Sequence, residues 1–97
     1  MGDFQEIKKA FLDSFEKCEV IDQTTVIQAE FDHKFDAEWF KTNIAYPKDL
    51  AEDEFPIHIV VEISPIGETP SISVYDYIFR FTVKDKEKLL DMLKNKR

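Results

Sequence analysis

Every second residue from Tyr75 to Val83 is large and apolar: Tyr75, Tyr77, Phe79, Phe81 and Val83. That period puts side chains on one side of a pleated strand, and no other run in the chain restricts the fold as strongly. Upstream, Ile57, Ile59, Val61 and Ile63 repeat the pattern. The two runs read as arms of one long β-hairpin from Phe55 to Val83, with Val61 facing Tyr75 and Ile59 facing Tyr77 so that both rows share a surface. The connection from Pro65 to Pro70, with Gly67 inside, has turn chemistry but is longer than the tightest hairpin loops. The aromatic row is the expected core.

The flanking segments change period. Phe4, Ile7, Phe11, Phe15 and Cys18 fall on one helical stripe, with Glu6, Lys9, Asp13 and Glu16 opposite, and Asp3 with Glu6 suits a capping box. From Thr25 to Phe35 the spacing becomes two, placing Ile27, Ala29, Phe31 and Phe35 on one side of a half-exposed strand. Asp36 to Tyr46 fits either a helix carrying Trp39, Phe40 and Ile44 or a strand alternating Phe40, Thr42, Ile44 and Tyr46; the strand is narrowly favoured. Pro47 ends it, and Lys48 to Glu54 reads as an exposed acidic loop or a single helical turn. Near the end, Thr82 or Asp85 can cap a helix whose docked stripe is Leu89, Leu90 and Leu93. The expected class is α+β: one domain over residues 1–97, with an antiparallel meander of three or four strands and the N- and C-terminal helices packed on one face.

Charge and composition then remove whole classes of function. Of the 97 residues, 20 are acidic and 13 basic, a formal net charge of −7 that repels nucleic-acid phosphates and anionic membrane surfaces. Direct DNA or RNA binding and membrane binding are therefore not expected. The only glycines, Gly2 and Gly67, cannot write a phosphate-binding loop. Asp3 and Glu6 interrupt the start where a signal peptide would need an apolar run, and Glu6 stands where a myristoylation signal needs Ser or Thr. With one cysteine, Cys18, an internal disulfide is impossible, in keeping with a cytoplasmic setting. The Lys- and Ile-rich chain suits a microbial or phage-type protein.

Several residues invite chemistry. An aromatic strand resembles a base-stacking platform, but the only base on it, Arg80, lies on the opposite side beside Asp76, so core packing is the better reading. His58, Glu62, Asp76 and Arg80 on the polar side of the hairpin have the types needed for a base, an acid and an anion clamp, as a small enzyme or ligand-binding domain would require. A solvated sheet face uses the same types. Asp32 and His33 alternate across a strand and do not converge on a metal, and Cys18 on an apolar stripe reads as an inert thiol. No metal or cofactor is expected.

Asp49, Glu52, Asp53 and Glu54 form an acidic patch suited to a basic partner, with Trp39, Phe40 and Tyr46 as sources of buried contact area. These residues point to a non-catalytic protein-interaction module: a small adaptor, or an inhibitor that occupies the basic surface of another protein. An acidic mimic of nucleic acid aimed at a DNA-binding or nuclease target is the variant of this idea, and a homodimer through the open sheet face or an edge strand is a further expectation.

Overall fold

The computed structural model describes residues 2–64 and 77–96. Helix α1 (Gly2–Ser14) leads into strands β1 (Cys18–Asp22) and β2 (Ile27–Phe31), then helix α2 (Lys34–Phe40), which continues as a π-helical turn, Lys41–Ala45. A 3-10 turn, Glu52–Glu54, precedes strands β3 (Ile57–Ile63) and β4 (Tyr77–Val83), and helix α3 (Lys86–Lys94) follows. The four strands form one antiparallel sheet in the order β1-β2-β4-β3. The α+β class with both terminal helices on one face is therefore correct. The strand order is that of two hairpins laid side by side with β2 against β4, a departure from the sequential order of a simple meander.

Alternation accounts for the covered face. Phe79 and Phe81 in β4, with Ala29 and Phe31 in β2, point to the helices and are at most 1% exposed. They meet Ile7, Phe11 and Phe15 from the N-terminal segment and Leu89 and Leu93 from α3. Six phenylalanine rings make the centre: Phe11 lies 5.6 Å from Phe40 and 5.9 Å from Phe81, and Phe40 lies 5.0 Å from Phe79. Phe31 and Phe15 join edge-on at 4.8 Å. Each ring removed from water contributes about 1.5–3 kcal/mol, so this cluster dominates the stability.

The helices are tied as well as packed. Asp85 caps α3, its carboxylate accepting the Lys88 amide at 3.1 Å. The buried Ser14 hydroxyl at the end of α1 donates to the Leu93 carbonyl at 3.1 Å, sharing with the Lys96 amide an acceptor in the last turn of α3. At the other end of the pair, Lys86 reaches Asp3 at 3.0 Å and Glu6 at 3.5 Å. Asp3 and Glu6 thus lie inside α1 as partners of Lys86 and not as its capping box.

Four sequence expectations are corrected. Cys18 belongs to β1, a strand hidden because Phe15 and Cys18 also continue the helical spacing of α1. The strand through Ile27, Ala29 and Phe31 stops before Phe35, which enters the first turn of α2 and is 78% exposed. Residues 36–45 are helical, because Ala37, Phe40 and Ile44 fall on one buried helical stripe. In the hairpin, Ile59 faces Phe81 instead of Tyr77, and a bulge between Ile59 and Val61 sets Val61 against Arg80. Tyr75, Asp76 and the Pro65–Pro70 connection lie outside the described residues.

Candidate functional site

The bulge decides the fate of the polar cluster. A single extra residue reverses the faces of everything beyond it, since side chains alternate. His58, opposite Thr82, stays on the side away from the helices, whereas Glu62, opposite Phe79, turns to the helix side and binds Lys41 of the π turn at 2.8 Å. That bond, then the attraction of the Glu62 charge, holds the Lys41 ammonium above its ordinary pKa of 10.5. Arg80 is occupied on the open face: its Nε donates to Gln28 Oε1 at 2.7 Å, Gln23 donates to the same oxygen at 3.0 Å, and Gln28 donates to Glu30 at 2.8 Å. Of the sequence-derived set, only His58 and Arg80 share a face, and Asp76 is outside the described residues.

Elsewhere on the open sheet, Ile21, Val61 and Ile78 are half-buried around that network. His33, at the start of α2, is exposed and makes no side-chain cap. Burial, with Asp36 nearby as a lesser cause, pushes the Cys18 thiol up to about 12. Such a thiol is neutral and unreactive. Among the described residues no group of three or more His, Cys, Asp and Glu side chains is placed to hold a metal, and no helix is long and apolar enough to cross a membrane.

The acidic turn has a different character. Glu52–Glu54 is held to the body by its backbone: Lys84 Nζ donates to the Glu52 carbonyl at 3.2 Å and Lys88 Nζ to the Glu54 carbonyl at 2.7 Å. The Glu54 carboxylate accepts the Ala51 amide at 3.0 Å. Asp49, Glu52, Asp53 and Glu54 are all exposed, and among the described residues none of the four has an ion-pair partner. The anchoring lysines grip carbonyls and leave the carboxylates facing water.

Of the three aromatic residues assigned to the patch, Phe40 is fully buried and supplies no contact surface, because it sits on the inward stripe of α2. Tyr46 is 44% exposed. Trp39 is half-buried, edge-on to Phe15 at 5.8 Å, with Lys96 Nζ about 6.0 Å from its ring and 3.9 Å from the buried Asp36 carboxylate. Phe35, not Phe40, is the exposed phenylalanine of this segment. It lines an open groove of about 530 Å³ with Lys34, Glu38, Trp39 and Thr42. Once residues 34–40 are known to be helical, the four-residue spacing of Phe35 and Trp39 is the signal for this pair. A second groove, of about 770 Å³, runs between the π turn, residues 47–50 and α3. No protein-family model matches the chain, and neither a curated protein nor a solved structure matches it.

Proposed function

We propose that the protein is a non-catalytic protein-interaction module, an adaptor or inhibitor that presents an acidic surface to a basic surface of a partner protein in the cytoplasm. One observation carries the reading: a turn rich in carboxylates is fastened through its backbone carbonyls, so the carboxylates are fixed in place and its anchoring lysines form no ion pair with them. Fixed, unpaired charge at a surface accelerates encounter with an oppositely charged partner and selects against wrong ones. The net charge of −7 extends the same field over the molecule and disfavours direct contact with nucleic acid. The lone, buried thiol agrees with a reducing compartment.

The test is comparative capture from host lysate at low and high salt, using the protein and a Glu52→Lys, Asp53→Lys double variant, with quantitative mass spectrometry of what is retained. Proteins with basic surfaces should be retained by the unaltered protein at low salt and lost with the variant. Equal recovery of the same proteins on both would refute the reading.

A further inference from the structure

We infer that the occupant of this surface is a basic amphipathic segment of the partner, lying across the outer face of α2 with an apolar residue between Phe35 and Trp39 and its cations in the acidic groove. The inference rests on the acidic-docking reading and adds a second, apolar half to it.

Phe35 is 78% exposed, the most exposed of the large apolar side chains among the described residues. A protein gains nothing in stability from a phenylalanine so placed, whereas aromatic residues beside a groove are the usual anchors of binding energy. Trp39, one helical turn on, supplies a second ring whose inner edge is fixed by Phe15 and whose outer part lines the groove. Thr42 lines both this groove and the next, so the aromatic and acidic surfaces are continuous. Leu50 and Met92, both half-buried, give the second groove an apolar floor; four acids, Asp49, Asp85, Glu87 and Asp91, line it against two bases, Lys48 and Lys88, with Glu87 and Asp91 also near Lys86 at 3.9 Å and Lys94 at 4.0 Å. Lys88, also in its lining, is engaged by the Glu54 carbonyl. Long aliphatic stems ending in cations match an apolar floor under carboxylates.

The junction between the grooves supports the same occupant. The π turn, closed by the Tyr46 amide donating to the Lys41 carbonyl at 2.9 Å, widens the helix where the grooves meet. Thr42 Oγ1 donates to the Glu38 carbonyl at 2.9 Å and Asn43 Nδ2 to the Trp39 carbonyl at 3.0 Å. The Glu38, Trp39 and Lys41 carbonyls thus have donors within the chain, so a partner can cover them without stranding a buried polar group. Such insertions occur frequently at functional sites.

Trp39 is the only tryptophan, so its emission reports on the aromatic groove directly. The probes are two synthetic peptides of identical lysine and leucine composition, one with leucines at helical spacing and one shuffled. The patterned peptide should shift Trp39 emission to shorter wavelength and bind at least about tenfold more tightly than the shuffled one, and Phe35→Ala should weaken it at least about fivefold. Asp49→Lys with Asp91→Lys should weaken both peptides. Because Phe35 is exposed, an unchanged melting curve will show that the variant folds. If both peptides bind alike, and Phe35→Ala changes nothing while the charge reversals still weaken binding, the amphipathic occupant is wrong and acidic docking stands. If neither peptide binds at low salt, both fall.

Discussion

The two sides of the α2 segment hold the same kind of residue in opposite surroundings. On the inner side, Phe40 is fully buried among Phe11, Phe31, Phe79 and Phe81, and Ala37 and Ile44 extend the same stripe. On the outer side, Phe35 is 78% exposed beside a groove. Hydrophobicity does not distinguish the two, since the residues are identical. Their angle around the helix does: residue 35 turns to solvent and residue 40 to the sheet. The inner ring stabilises the fold, and the outer one stands in solvent beside the groove.

That contrast is exposed to a direct attempt to break it. Phe40→Ala should cost about 3–5 kcal/mol in urea unfolding, a large part of the stability of a small domain, whereas Phe35→Ala should stay within about 0.5 kcal/mol. Equal losses would show that Phe35 is a core residue after all. The inner side also makes a prediction about pH. The Cys18 thiol is raised from 9.0 to about 12, so the folded state keeps a proton that the unfolded chain has released. The associated stability is fully present below pH 9 and is lost across the window up to about 12. Compared with Cys18→Ala, the unaltered protein should lose up to about 1.4 kcal/mol per pH unit in that window, and its native thiol should resist modification at neutral pH.

Smaller effects sharpen the contrast. Ser14→Ala removes the bond to the Leu93 carbonyl and should cost about 0.5–1.5 kcal/mol, measured the same way. Where the π turn meets β3, Lys41→Met breaks the exposed pair with Glu62 and should cost no more than about 1 kcal/mol. The Lys41 pKa is raised by its hydrogen bond to Glu62, so the pair stabilises below pH 10.5 and loses its effect as the pH rises beyond that value. The variant should show less alkaline destabilisation in that range.

What was legible in the sequence followed from local pattern. The alternation in β4, the stripe of α1 from Phe4 to Phe11 and the cap at Asp85 each depend on neighbours within a few residues, and the structure keeps them. Residues 36–46 were not legible, because Phe40 and Ile44 satisfy both periods; only the sheet-side packing of Ala37, Phe40 and Ile44 chooses the helix. The β1 strand was masked by its continuity with the stripe of α1. In the candidate site, the carboxylates of the acidic turn were legible as exposed charge. Phe35 was not, because a residue assigned to the core face of a strand gives no sign that it stands at the outer edge of a helix.

The amino-acid sequence alone determined the class of the molecule: an acidic α+β chain whose alternating rings must be covered by amphipathic helices, because period and composition are local properties. Tertiary structure decided the pairing of β2 with β4, the four-residue shift that sets Ile59 against Phe81, and the bulge that sends Glu62 to Lys41 and away from His58. Those choices depend on which distant surfaces fit together once the chain is compact. A one-residue offset, invisible in composition and nearly invisible in pattern, is enough to reverse a face and redistribute its chemistry.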